Sequence, residues 1–238
     1  MFLTLVATLG GLLFGYDTAV ISGTVKYRDL NFVAPLGLSE TAASSLLGFA
    51  VSSALIGCVL GGMVGGIVAS ALGRKRGLMI AAVLFIISAV GSAYPELGFP
   101  HGAPHTFLTQ FIIYRIIGGV GVGLASMLSP MYIAEMAPAS RRGGLVAWNQ
   151  FAIIFGMLVV YFVNYFIALN GDEAWLTSTG WRLMFLSEVI PAALLFLLVL
   201  GVPESPRWLI MKGREAKAVA ILERINGAPE AEVEAQSI

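Results

Sequence analysis

Three ionisable residues stand inside long apolar runs of this 238-residue chain: Asp17 in the first run, Arg115 in the fourth and Glu188 in the sixth. Hydrocarbon solvates a charge poorly, so such residues face a polar cavity or one another, and they mark a functional site. Their depths agree. With the chain starting on the inner side and helices rising about 1.5 Å per residue, Asp17 lies about 10 Å below the outer end of its run, and Arg115 and Glu188 about 10–12 Å. The three are expected to meet in one layer.

A second set of polar residues lies on the fifth run. Gln150, Met157 and Asn164 recur every seven residues, so at about 3.6 residues per turn they share a face with Ile154 and Tyr161. Amides donate and accept hydrogen bonds, which suits a polar solute rich in hydroxyls. Interhelical hydrogen bonding explains the same stripe equally well.

Composition decides what kind of element positions these residues. The chain is 58% hydrophobic and 12% charged, with a mean hydropathy of +0.86, too apolar for a water-soluble chain of this length. A membrane-spanning helix needs about 20 predominantly apolar residues. That length recurs at Phe2–Thr24, Ala42–Leu72, Gly77–Ala93, Phe107–Ala134, Leu145–Leu169 and Trp181–Val202. The expected fold is an all-α membrane protein, a six-helix bundle over residues 1–203, followed by a cytoplasmic amphipathic helix and tail over 204–238.

Short loops rich in Lys and Arg stay on the cytoplasmic side. Arg74, Lys75 and Arg76 follow the second run, Arg141 and Arg142 the fourth, and Arg207, Lys212, Arg214, Lys217 and Arg224 the sixth. The opposite loops hold Lys26, Arg28 and Arg182, so both termini are expected in the cytoplasm and the chain in the inner (plasma) membrane. The first run has no basic leader and carries Asp17, so it is expected to remain as a span rather than be cleaved. Equal numbers of basic and acidic residues, 14 of each, give no reason to expect nucleic acid as a partner. Cys58, the single cysteine, reads as packing.

Small residues let membrane helices approach closely. Gly57, Gly61 and Gly65 on the second run, with Gly62 and Gly66 beside them, and Gly119 and Gly123 on the fourth read as packing faces. In the sixth run Pro191 lacks the N–H that would bond the Ser187 carbonyl, so a kink beside Glu188 is expected. After Val202, Leu209, Val219, Leu222 and Ile225 alternate with basic residues in the manner of an amphipathic helix. Gly227 is its expected stop, and the acidic end with Glu230, Glu232 and Glu234 is expected to be loose.

Several blocks together carry a family resemblance: Gly10-Gly11-Leu12-Leu13-Phe14-Gly15-Tyr16-Asp17, Gly73-Arg74-Lys75, Tyr114-Arg115, Pro130-Met131-Tyr132-Ile133-Ala134-Glu135, Arg142-Gly143, Asn149-Gln150 and Pro203-Glu204-Ser205-Pro206-Arg207. They resemble the sugar porter family of the major facilitator superfamily, and cover the amino-terminal half of a twelve-span transporter. The resemblance implies a bundle of two inverted three-helix repeats. It also implies proton-coupled transport of a pentose or hexose, xylose-like, by alternating access, with no enzymatic activity and no cofactor or metal. Asp17 matches the family's proton-coupling carboxylate, Arg115 its partner and Glu188 the neighbouring acid.

Burial raises a carboxyl pKa in general and a nearby guanidinium lowers it, so a pair of this kind that forms and parts would release and take up a proton. A static buried ion pair is the other role open to it. Phe14, Gln150 and Met157 match sugar-contacting positions, Met157 standing where proton-coupled relatives carry glutamine, and Asn164 joins them from the shared face. Arg74, Lys75, Glu135, Arg142, Glu204 and Arg207 match a cytoplasmic gate. Ser70 and Ala71 replace the usual polar and basic residues before Gly73, which is expected to weaken the gate's lock.

The expected partners are a monosaccharide, protons, the lipid bilayer and a second six-helix half, either a missing carboxy-terminal half or another copy of the chain. The glycine ridge of the second run is expected to face that half. A truncated or incomplete transporter, with the half-bundle fold and no transport of its own, is the alternative reading. A six-span channel with an Asn-Pro-Ala motif is excluded by the lack of that motif, and an intramembrane protease by the lack of a histidine in any run. His101 and His105, with Pro100 and Pro104, read as a solvated outer loop.

Overall fold

The computed structural model describes residues 2–97, 104–138 and 140–226. Helices dominate, and no strand occurs among the described residues. Among the described residues, six stretches are long and apolar enough to cross a membrane: Leu3–Leu36, Glu40–Leu72, Arg74–Ala93, Leu108–Met136, Arg142–Ala168 and Glu173–Gly201. They are the first to sixth spans below. Helices answer the demand that backbone polar groups in hydrocarbon bond within their own segment. Pro100, His101, Gly227 and the acidic tail residues lie outside the described residues, as do the side chains of Pro104 and His105.

The first span runs beyond its expected end. The α-helix Phe2–Val20 tightens to a 3-10 turn at Ile21–Thr24, resumes at Val25–Arg28, widens to a π-turn at Asp29–Val33 and tightens again at Ala34–Leu36. Gly37, at φ 62°, closes it with its N–H on the Ala34 carbonyl. Lys26 and Arg28 are therefore on helix rather than in a loop. Lys26 meets Glu173 at 2.7 Å. Arg28 is buried, stacked over the Phe111 ring with its Nε on the Thr24 hydroxyl at 3.1 Å. The changing helical period hides this segment from a 3.6-residue pattern, although Phe32 and Val33 bury in the core.

The second and third spans are joined by one residue, Gly73, at φ 92°. Only glycine takes that backbone region without steric cost. The sixth span is interrupted at Ser187 and Glu188, between the helices Trp181–Leu186 and Val189–Gly201. Pro191 explains the break: the Ser187 carbonyl, denied its usual donor, accepts instead from the Ile190 N–H at 3.3 Å. After the sixth span, the expected single amphipathic helix is two, Pro206–Met211 and Glu215–Asn226, separated at Gly213 with φ 69°. Their apolar side chains Leu209, Ala218 and Leu222 are buried.

Packing follows the glycines. A β-carbon on Gly57 would strike the carbonyl of Ile116, on Gly61 that of Val120, on Gly119 that of Ala54 and on Gly123 that of Cys58. The second and fourth spans thus touch backbone to backbone. This corrects the expectation that the second-span ridge faces another half: it is consumed inside the bundle. An equivalent seam joins the first and fifth spans, where Gly15 meets the Ile153 carbonyl and Gly156 that of Leu12. Exchanging spans one to three with four to six maps one seam onto the other, as an internal repeat requires.

Candidate functional site

Asp17, Arg115 and Glu188 meet where the first, fourth and sixth spans converge. Arg115 Nη1 donates to Asp17 Oδ1 at 2.7 Å and Nη2 approaches Oδ2 at 3.4 Å, with both side chains 2% exposed. Glu188 is fully buried, its carboxylate oxygens meet no hydrogen-bond donor among the described residues, and it lies within electrostatic reach of both partners. The neighbours of the two acids are tied together as well, Tyr16 to Ser187 at 2.8 Å between hydroxyl oxygens. On the other side Arg115 stacks over the Phe185 ring, 5.9 Å from its centroid.

Taking two ions from water costs several kcal/mol each, and a close ion pair recovers this only with good geometry. Asp17 and Arg115 have that geometry; Glu188 does not. One guanidinium balances one carboxylate, so the trio is neutral when its two carboxylates hold a single proton between them. Gain or loss of a proton from that state leaves one net charge in a buried site, so the cluster's proton count is tied to its surroundings.

The polar stripe of the fifth span divides. Asn164 is buried in the seam with the first span, donating to the Val20 carbonyl at 3.2 Å and packing on Gly23. It takes the interhelical role, and its place in the sugar-contacting set is corrected accordingly. It lies near the edge of the stripe, where a small rotation decides between seam and open face. Gln150 is exposed, and Met157 and Phe14 are half-buried. Asn149, the neighbour of Gln150, is buried against Gly11.

At the basic end of the bundle, Arg74 Nη2 meets Glu135 Oε1 at 2.7 Å, and Ser205 donates its hydroxyl to the other oxygen of Glu135. Glu204 Oε1 accepts three backbone N–H groups, Arg74 at 2.9 Å, Lys75 at 3.1 Å and Ser205 at 2.9 Å. A carboxylate at a helix N-terminus answers both the orphan donors and the helix dipole. Lys75 Nζ donates to the Leu200 carbonyl at 2.9 Å and Tyr132 to that of Pro203 at 2.8 Å.

Exposed ion pairs are individually weak. The Arg74–Glu135 pair is instead about nine-tenths buried on both sides. Arg142 and Arg207 are exposed, outside this buried knot. Ser70 keeps a structural role through its backbone, its carbonyl accepting the Trp208 indole N–H at 3.0 Å. Sequence analysis misses Ser205, Tyr132 and Trp208; Ser205 and Tyr132 stand inside family-like blocks, and Trp208 follows one directly.

Glu204→Ala is expected to lower the melting temperature of the purified protein, by an amount equivalent to about 1–3 kcal/mol for donors left unmet. Glu204→Gln, which keeps an acceptor, should lose less. Thermal-shift measurements in detergent would read both.

Six converging helices with a buried acid–guanidinium cluster at mid-depth describe a membrane transporter. The chain belongs to the sugar transporter family: residues 3–238 match the family model described as "Sugar (and other) transporter". It is 62% identical over 233 residues to the D-xylose-proton symporter of Escherichia coli (strain K12), covering 94% of this chain and 48% of that protein. It is 41% identical to the arabinose-proton symporter of Bacillus subtilis, over 98% of this chain and 46% of that one. With the glucose facilitated diffusion protein of Zymomonas mobilis identity is 40%, over 94% and 47%. The chain spans about half the length of the curated relatives it matches.

Among solved structures, it superposes on the proton:xylose symporter XylE bound to 6-bromo-6-deoxy-D-glucose with a TM-score of 0.97 at 60% identity, covering 99% of this chain and 51% of that one. Against the inward-open conformation of the Escherichia coli xylose transporter the TM-score is 0.93 at 61% identity, over 98% and 54%. The fold is that of a half of a major facilitator superfamily transporter.

Proposed function

We propose that this chain forms the amino-terminal half of a proton-coupled sugar symporter that works by alternating access, with its basic end toward the cytoplasm. The observation that carries this reading is the Asp17–Arg115 pair at 2.7 Å with Glu188 buried beside it. A facilitator needs no titratable cluster at mid-membrane. A symporter does, because the proton must dwell where the sugar's arrival can be felt. In this reading a proton on Asp17 releases Arg115, and loss of the proton restores the pair, biasing the bundle between two orientations.

The sugar would lie between this bundle and a second one, against a wall offering Phe14, Gln150 and Met157. The buried knot of Arg74, Glu135, Glu204 and Ser205 keeps the bundle rigid as it rocks, and the exposed Arg207 is placed to engage the other half. Similar TM-scores against sugar-bound and inward-open relatives, 0.97 and 0.93, favour movement of the half as one body.

The test is co-expression. Cells without their own pentose carriers, given this chain together with a second six-helix half of a sugar porter, should accumulate xylose and show sugar-driven proton uptake. The chain alone should not. Half-length coverage of its relatives favours one competing reading, a half-bundle without transport, and that reading prevails if no complementing half restores uptake.

Met157→Gln would restore an amide to the sugar wall. One regained hydrogen bond is worth about 0.5–1.5 kcal/mol, so xylose affinity should tighten several-fold in calorimetric titration of the assembled transporter. Unchanged affinity for pentoses and hexoses would remove Met157 from the pocket.

A further inference from the structure

The third span carries two serines that behave unlike the others. Ser52, Ser53, Ser70 and Ser126 each turn the hydroxyl back onto a carbonyl three or four residues earlier, the usual resolution for serine in a membrane helix. Ser88 and Ser92, one turn apart on the third span and fully buried, have hydroxyls with no hydrogen-bond partner among the described residues. Buried polar groups that lack protein partners are met by ordered water.

Their neighbours form a column. Arg182 Nη1 donates to the Ala93 carbonyl at 2.9 Å, which pairs the outer ends of the third and sixth spans. These spans run antiparallel with equal rise, so Ser88, five residues inward of Ala93, lies at the depth of Ser187 and Glu188. By the same count Ser92 lies level with Leu183, about half a turn inward of Trp181, whose indole N–H is also buried and has no hydrogen-bond partner among the described residues. Below, a β-carbon on Gly118 would strike the Ser88 hydroxyl and lie 3.6 Å from Asp17 Oδ1. Gly118 thus leaves open the space between hydroxyl and carboxylate. Above, Arg182 pairs with Glu96, whose side chains are 22% and 39% exposed, and this pair is where the column reaches water.

We propose that the bundle contains an internal hydrated proton route between its third, fourth and sixth spans, along which Ser92 and Ser88 relay protons from the Glu96–Arg182 mouth to Glu188 and Asp17. It rests on the proton-coupled reading above, and it is separate from the sugar cavity. The two hydroxyls are about 6 Å apart along the helix axis, a gap that one water bridges. At each step an oxygen accepts one proton and passes on another, with no change in electrons. The proton ends on a carboxylate oxygen of Glu188, or on Asp17, where it displaces the bond from Arg115.

The other ionisable groups facing the column are Tyr16 from the first span, Arg28 from its extension, Tyr94, whose ring stacks with Arg182 at the mouth, and Tyr114, whose ring packs on Gly91. Arg28 and Arg115 stack on Phe111 and Phe185. Two guanidiniums raise the electrostatic cost of an excess proton in the column, so a proton that enters comes to rest only on the acids.

The test compares the parent with Ser88→Ala/Ser92→Ala and with Ser88→Thr/Ser92→Thr, which keeps the hydroxyls. Infrared spectroscopy in deuterated buffer follows deuteration of the protonated carboxyl, its band assigned with Glu188→Gln; proteoliposomes of the assembled transporter follow sugar-driven proton uptake and sugar counterflow. The alanine pair is expected to slow carboxyl deuteration and proton uptake at least tenfold with counterflow within twofold of the parent, and the threonine pair to restore both rates. Slowed deuteration in a chain whose parent shows no sugar-driven proton movement would keep the route and overturn the symport reading. Parent-like deuteration in the alanine pair would overturn the route, whether or not the parent couples protons to sugar.

Discussion

Asp17→Asn is expected to abolish uphill sugar accumulation by the assembled transporter while sugar counterflow continues near the parent rate. Asparagine keeps the size and a hydrogen-bonding oxygen for Arg115, and it removes the titrating group. The obvious objection is that Arg115, 2% exposed, would be left as an unpaired buried cation, which typically costs about 3–5 kcal/mol and threatens the fold. Glu188 answers it. Its carboxylate is fully buried without a hydrogen-bond donor and senses Arg115 already, so it can supply the missing negative charge.

Asp17→Asn should therefore assemble, and Asp17→Asn/Glu188→Gln should not. Proton uptake read by a pH dye on sugar addition, together with counterflow of labelled xylose, separates coupling from binding. Normal accumulation by Asp17→Asn would end the assignment of Asp17 as the coupling group. Loss of counterflow in a correctly folded Asp17→Asn would recast the pair as structural.

Much of this site is legible in the sequence because a membrane leaves so little freedom. A span must be helical, its depth follows from counting residues, and charges at equal depth have few places to go but toward one another. That logic brings Asp17, Arg115 and Glu188 together without any structure. It fails where side-chain direction matters more than depth. Asn164 and Met157 differ by two turns on one helical face, yet the seam with the first span claims Asn164 and leaves Met157 half-open, because the apposition of Gly23 is a three-dimensional fact.

Arg28 escapes for a different reason. Its surroundings switch between 3-10, α and π winding within sixteen residues, and no fixed period reveals which side chains turn inward. The basal knot is half legible: Arg74, Glu135 and Glu204 stand in recognisable blocks, but Glu204 works by capping the third span across 130 residues of chain, a contact that sequence proximity cannot suggest.

The glycine seams set the largest expected effect on stability. Gly61→Leu is predicted to prevent the bundle from forming, whereas Gly62→Leu, one residue away, should leave it intact. A β-carbon at Gly61 runs into the Val120 carbonyl, while nothing lies within 4 Å of one at Gly62. Overpacking a well-filled interior costs about 1–3 kcal/mol when side chains can give way. Here the obstacle is backbone of the fourth span, itself pinned by Gly119 against the Ala54 carbonyl and Gly123 against that of Cys58.

Relief would require the second and fourth spans to part along their whole contact, and the close approach that stabilises helix association in lipid would be lost with it. Gly15→Leu should fail in the same way through the Ile153 carbonyl of the fifth span, since the two seams are equivalent under the internal repeat. Membrane expression, monodispersity in size-exclusion chromatography and melting temperature of the detergent-solubilised chain would report the outcome. A monodisperse Gly61→Leu with a parent-like melting temperature would show that the ridge is not the inner seam. An equal loss in Gly62→Leu would place the contact on the outer face of the second span, where a second half would sit.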